Sequence, residues 1–155
     1  MLSDKAKEEI KKIASRYATK RSAVMAAMRI AQGERGGLME DDMREIASML
    51  GIRPIEVHEI GGFYTMYNVE RHIGRHHIQV CQNISCSLLG AEHLIEHLET
   101  RLGIKSGETT ADKKFTLSRV ECLGSCGTAP VMQINDDYYE GLTKERLEDI
   151  LKGRR

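Results

Sequence analysis

Apolar residues recur at helical spacing through the first part of the chain. Ile10, Ile13, Ala14, Tyr17 and Ala18 form one stripe, behind Ser3 as a candidate N-cap. Val24, Ala27, Met28 and Ala31 form a second, with Ser22 as the expected cap and Gly33 as the expected stop. Met39, Met43, Ile46, Ala47 and Leu50 form a third. Glu40, Asp41 and Asp42 fall in its first turn, where the helix dipole favours negative charge, and Gly51 follows its end. Pro54 suits the first turn of a fourth helix through Ile55, Val57 and Ile60, running toward Gly61 and Gly62. Short helices joined by short connections predict a small bundle or a helical arm.

The period changes after Arg75. Ile78 and Val80 mark a strand that delivers Cys81 at its end, and Leu94, Ile95, Leu98 and Leu102 mark a helix ended by Gly103. After a polar loop, Lys105 to Lys114, Phe115 and Leu117 alternate in a second strand. Val131 to Ile134 reads as a third strand, Asn135-Asp136-Asp137 as a turn, and Tyr138-Tyr139 as the start of a fourth. Thr143 then caps a last helix carrying Leu147, Ile150 and Leu151. The order β-α-β-β-β-α, a parallel pair crossed over by a helix and then a hairpin and a closing helix, is that of a thioredoxin-like domain. The expected class is α+β: a helical N-terminal region over residues 1–74, then a thioredoxin-like α/β domain over residues 75–155.

Composition narrows the function. The chain has 155 residues, 41% hydrophobic and 30% charged, as in a globular protein. Lys and Arg number 23, as do Asp and Glu, so the net charge is zero, which argues against a protein that grips nucleic acid by neutralising phosphates. No apolar run nears the ~20 residues of a membrane span, and the charged start, Met1 to Lys12, lacks the apolar core of a signal peptide. The expected location is cytoplasmic, with attachment to a membrane only through partners.

The candidate chemistry lies in four cysteines. Cys81 and Cys86 form C-x4-C, Cys122 and Cys126 form C-x3-C, and 35 residues separate the pairs. In a reducing compartment such pairs are more often metal ligands or redox thiols than disulfides. Structural zinc favours the tighter C-x2-C turn, whereas a 2Fe-2S cluster has two irons that each need two sulfurs. The spacing therefore favours a cluster over zinc, with redox thiols third. Gly124 and Gly127 bracket Ser125-Cys126 and let amide N–H groups approach sulfur. Leu88, Leu89, Leu123 and Ala129 are apolar neighbours expected to exclude water. With no His or Asp inside the cysteine loops, a nucleophilic cysteine is disfavoured.

The run from Val80 to Gly90, VCQNISCSLLG, and the run from Cys122 to Met132, CLGSCGTAPVM, resemble the thioredoxin-like 2Fe-2S ferredoxin family. Lys20-Arg21-Ser22-Ala23 and Gly62-Phe63-Tyr64-Thr65-Met66-Tyr67 resemble that family's helical N-terminal region. The resemblance implies that Cys81, Cys86, Cys122 and Cys126 bind one 2Fe-2S cluster. It further implies an electron-transfer subunit in the NADH-oxidising module of an NADH:quinone oxidoreductase, respiratory complex I. Its partner would be a flavoprotein that binds FMN and NADH, within a larger redox complex. This chain has no G-x-G-x-x-G or P-loop to cradle a dinucleotide, so NADH chemistry belongs to the partner and the isolated chain is not expected to be catalytic. The same module serves NAD-dependent hydrogenases and formate dehydrogenases. From a different class, a zinc-stabilised interaction module is the rival.

The remaining candidates have plainer readings. Phe63, Tyr64 and Tyr67 are interface anchors or, slightly favoured, packing between the helical part and the sheet. His72, His76 and His77 read as solvated residues leading into a strand, and His93 and His97 as surface histidines rather than a metal pair. The eight methionines read as core filler, and Lys152, Arg154 and Arg155 as a solvated tail.

Overall fold

A computed structural model describes residues 1–154, which divide into two compact units between His72 and Ile73. The first is helical. Helix α1 spans Asp4–Ala14 and buries Ala6, Ile10 and Ala14 on one face; the Ser3 hydroxyl accepts the Ala6 N–H at 3.2 Å. It stops before Tyr17 and Ala18, which lie outside it, because Ser15 closes the last turn by donating to the Lys12 carbonyl at 2.8 Å. Ser22 does not cap the next helix. It sits inside a single 3-10 turn, Arg21–Ala23, paired with the Thr19 hydroxyl at 2.7 Å. Helix α2 then runs Val24–Arg35, straight through Gly33, and Gly36 ends it in the left-handed region at φ 73°.

Helix α3 spans Glu40–Leu50. Its fully buried Asp42 accepts the Met39 N–H at 3.0 Å and pairs with Arg35 at 2.7 Å. One carboxylate thus closes the first turn and has its charge matched. Helix α4, Pro54–Phe63, continues past Gly61 and Gly62 to Tyr64. Gly61 is a packing position and not a stop: a Cβ there would lie 2.9 Å from both Met28 Cε and Val69 Cγ2. Ile10, Met28, Leu38, Met43 and Ile46 are fully buried at the centre of this unit.

The second unit holds a four-stranded sheet in the order β2-β1-β3-β4. Strand β1, His76–Cys81, pairs in parallel with β2, Phe115–Val120, and antiparallel with β3, Met132–Ile134. Strand β4, Asp137–Tyr139, closes a hairpin with β3. Helix α5 spans Ile84–Leu88, α6 Ala91–Leu102 and α7 Lys144–Lys152. The crossover helix α6 buries Leu94, Ile95 and Leu98 in the same core as Ile78, Val80, Leu117, Met132 and Ile134, and α7 adds Leu147 and Leu151. This is the expected thioredoxin-like topology. Thr143 caps α7, accepting the Arg146 N–H at 3.2 Å. Helix α5 is the element the pattern misses, since five residues are too short to display a helical period.

Candidate metal centre

Because β1 and β2 run parallel, both deliver their C-terminal ends, and the loops beyond, to the same edge of the sheet. Cys81 is the last residue of β1, opposite Val120, and Cys122 lies two residues beyond that partner. The Gln82 N–H donates to the Val120 carbonyl at 2.9 Å, and the Gln82 amide to Glu121 Oε1 at 3.0 Å, tying the two cysteine segments together. Cys86 is not in a loop as expected. It sits on α5, whose first amide is capped by the Asn83 side chain at 2.8 Å. Cys126 opens the 3-10 turn Cys126–Thr128 that precedes β3.

These placements bring the sulfurs together in two layers. Cys81 and Cys86 are each 2% exposed, Cys122 and Cys126 are exposed, and all four are free thiols. The Cys81 sulfur lies 3.8 Å from the Glu121 carbonyl. Burial pushes the Cys81 thiol up, but backbone amides of Asn83 and Leu123 and the neighbouring Cys86 and Cys122 thiols outweigh it and hold Cys81 below the ordinary thiol range. Cys86 goes the other way, pushed up by burial and by the adjacent Cys81, against an amide donor from Val131. The Gly124 N–H donates to the Cys122 sulfur at 3.3 Å, from a backbone at φ +75° that a side chain would strain. Among the described residues no three His, Cys, Asp or Glu side chains form a group around one metal ion.

The donor set fits a 2Fe-2S cluster. Four cysteines, all soft sulfur donors, lie on segments that leave the same end of the sheet, and amide N–H groups face the sulfurs of Cys81, Cys86 and Cys122 to stabilise negative charge on them. The profile of thioredoxin-like 2Fe-2S ferredoxins matches residues 10–155. The chain belongs to the thioredoxin-like 2Fe-2S ferredoxin family.

Two relatives are similar over most of their length. The E 2 subunit of the NADH-quinone oxidoreductase of Rhizobium meliloti (strain 1021) is 50% identical over 149 residues, covering 96% of this chain and 88% of that one. The corresponding NADH-quinone oxidoreductase subunit of Rickettsia conorii is 46% identical over 133 residues, covering 85% and 79%. Among solved structures, the NAD+-reducing NiFe-hydrogenase in its air-oxidized state shares this ferredoxin's fold with a TM-score of 0.74 at 21% identity. That likeness covers 84% of this chain but only 22% of the hydrogenase chain.

Other candidates fall away from the centre or change role. Leu88 and Leu89 do not shield the sulfurs: they are 81% and 60% exposed, as Ile84 is at 72%, because α5 turns its apolar side chains outward. Leu123 and Ala129 are half-buried and pack against the core of this unit. His76 and His77 are half-buried strand residues and not solvated. The His76 ring lies 5.3 Å from that of Phe115, and His77 Nε2 is 2.9 Å from the Ser118 hydroxyl. His93 is a surface residue, and His97 bonds Glu148 at 2.8 Å. Phe63 and Tyr64 are exposed and stacked edge to face at 4.9 Å, whereas Tyr67 is buried within the helical unit, its hydroxyl donating to the Met25 carbonyl at 2.9 Å. Arg154 is not a free tail residue: it pairs with Asp137 at 2.8 Å and with the Tyr139 hydroxyl, while Arg155 lies outside the described residues. The sequence does not single out Glu140, whose carboxylate meets the second cysteine loop from the end of β4. Its partners Ser125 and Thr128 stand 15 and 12 positions away, and no spacing rule links residues so separated in different elements.

Proposed function

We propose that Cys81, Cys86, Cys122 and Cys126 hold one 2Fe-2S cluster, and that the chain is an electron-transfer subunit in the NADH-oxidising module of an NADH:quinone oxidoreductase. The observation that carries this reading is the delivery of four cysteines to one end of the sheet, with amide donors at the sulfurs of Cys81, Cys86 and Cys122. The 50% identity to the Rhizobium meliloti oxidoreductase subunit supports the host complex. When bound, the cluster supplies one-electron transfer.

The chain's own residues do the rest. Cys81 and Cys86 anchor from the dry side, and Cys122 and Cys126 from the exposed side. The amides of Asn83, Leu123 and Gly124 hold negative charge at the sulfurs without donating a proton. Exposed Ile84, Leu88 and Leu89 surround the exit from β1 with apolar surface suited to close approach by a partner. In this reading the partner would be a flavoprotein that binds NADH and carries FMN, with which a cluster held by these cysteines would exchange electrons. The helical unit serves docking, with Phe63, Tyr64 and Met66 as exposed anchors. Among the described residues no helix is long and apolar enough to cross a membrane; in this reading, attachment to a membrane runs through the complex.

The test is metal and sulfide analysis with EPR. Protein prepared anaerobically from iron-replete cells carries two irons and two acid-labile sulfides per chain, and dithionite yields a rhombic spin-half signal. Stoichiometric zinc without sulfide overturns the reading in favour of an interaction module. An NAD-dependent hydrogenase or formate dehydrogenase would use this chain in the same way, and the subunits that co-purify with it separate those hosts from complex I.

A further inference from the structure

The second cysteine loop is held by a strap that leaves β4. The Gly141 N–H donates to the Thr128 carbonyl at 2.6 Å, and the Leu142 N–H to the Pro130 carbonyl at 3.1 Å. Beside them the Glu140 carboxylate accepts hydrogen bonds from the Ser125 hydroxyl and, at 2.7 Å, from the Thr128 hydroxyl. Ser125 immediately precedes Cys126 and Thr128 lies two residues after it, so both bonds grip the turn that carries the thiol. The Thr128 N–H returns to the Ser125 carbonyl at 3.2 Å. On its far side, Glu140 is anchored by Arg146 of α7, whose guanidinium donates to the Glu140 carbonyl at 2.5 Å. The two hydroxyls hold the Glu140 carboxyl below its usual range, so it is ionised at neutral pH.

Cys126 needs such a hold. Cys81 and Cys86 are fixed by burial, but Cys126 is exposed, and neither neighbour Ser125 nor Gly127 contributes core packing. A carboxylate that accepts two hydroxyl bonds supplies by electrostatics the rigidity that packing supplies to the buried pair. We propose that Glu140 is a positioning residue for Cys126: through Ser125 and Thr128 it fixes the turn that presents the thiol, and it places a constant negative charge beside the centre. The proposal rests on the four cysteines being cluster ligands. Reduction adds negative charge to an all-thiolate cluster, and a nearby fixed anion opposes it. Glu140 thus keeps the ligand in place and holds the reduction potential down.

Full-length cluster-loaded protein tests this through three readouts: iron and sulfide content, an EPR-monitored redox titration, and loss of visible absorbance in the presence of an iron chelator. Glu140→Gln keeps an acceptor oxygen and removes the charge; it retains the cluster, and its midpoint potential moves upward. Glu140→Ala removes both, and its cluster bleaches about tenfold faster, the cost of losing charge-assisted bonds. The pair Ser125→Ala and Thr128→Val bleaches at that same faster rate, and adding Glu140→Ala accelerates it no further. A wild-type bleaching rate in Glu140→Ala together with an unmoved midpoint in Glu140→Gln overturns the proposal and leaves the cluster reading intact. Wild-type protein without iron and sulfide overturns the ligand reading and this proposal with it. Should Glu140→Ala not fold, the midpoint of Glu140→Gln decides alone.

Discussion

At the scale of single residues, the four cysteines differ in what replaces them. Cys81 and Cys86 are buried, so a serine there leaves a hydroxyl in a dry site as well as a harder ligand. Cys126→Ser costs ligation alone. Either Cys86→Ser or Cys126→Ser bleaches the visible spectrum and lowers the melting temperature through loss of the bound cluster, and Cys86→Ser lowers it further. His93→Ala changes neither, its side chain being 79% exposed and its ion-pair contact 3.7 Å long. Bleaching by His93→Ala and not by Cys126→Ser would contradict the ligand assignment. His76 supplies a pH dependence. Among the described side chains its Nδ1 is buried without a hydrogen-bond partner. Burial first, then Arg154, Arg75 and Lys114, push the imidazole below its ordinary 6.5. The folded state therefore takes up a proton later than the unfolded one. Its contribution to stability is intact above pH 6.5 and is lost as pH falls below that value. Thermal melts between about pH 7 and 5 show this fall, and His76→Phe, which keeps an aromatic ring against Phe115, flattens it.

At the scale of elements, one substitution has opposite signs in two places around the end of α2. Gly33 lies on an exposed turn of α2 with nothing within 4 Å of an added Cβ, so Gly33→Ala gains helix propensity, about 1 kcal/mol. Gly37 is pressed against the chain that returns after α4. A Cβ there would lie 2.0 Å from the Arg71 carbonyl oxygen. The backbone cannot retreat, since the Leu38 N–H bonds the Asn68 carbonyl at 3.0 Å and the Glu70 N–H bonds the Leu38 carbonyl at 2.8 Å. Gly37→Ala costs about 3 kcal/mol. Urea unfolding of the two variants reads both signs; equal effects would mean that the 37–71 contact is not a constraint.

At the scale of the whole molecule, the proposed reading makes the chain one subunit of a larger complex, with the exposed Phe63, Tyr64 and Met66 of the helical unit as its docking residues. The proposed reading predicts that the isolated protein binds neither FMN nor NADH in a titration and does not reduce ferricyanide with NADH until a flavoprotein partner is added. Phe63 is 76% exposed, so Phe63→Glu leaves the melting temperature and the cluster spectrum unchanged. If Phe63 is an anchor, the same variant weakens assembly with the flavoprotein at least tenfold in a pull-down titration. Unaltered assembly would remove this end of α4 from the docking surface, and NADH oxidation by the isolated chain would end the subunit reading.

Periodicity in the chain determined that α1 starts behind Ser3, that α3 ends at Gly51, that α6 ends at Gly103 and that α7 starts behind Thr143, because caps and apolar stripes act over a few residues. The succession of strands and helices along the chain was legible for the same reason, whereas the pairing of β1 with β3 was not. Tertiary packing decided what lies between elements. Gly33 reads locally as a stop, yet a helix that buries one face is carried through it, and α4 runs on through Gly61, where Met28 and Val69 leave no room for a Cβ. Ser22 reads as a cap but spends its hydroxyl on Thr19. Leu88 and Leu89 read as shielding and are exposed, since a one-turn helix has no period by which to tell its inner face from its outer. The hold of Glu140 on the loop of Cys126 joins positions that meet only when β4 has paired with β3, and no local pattern in the sequence encodes that meeting.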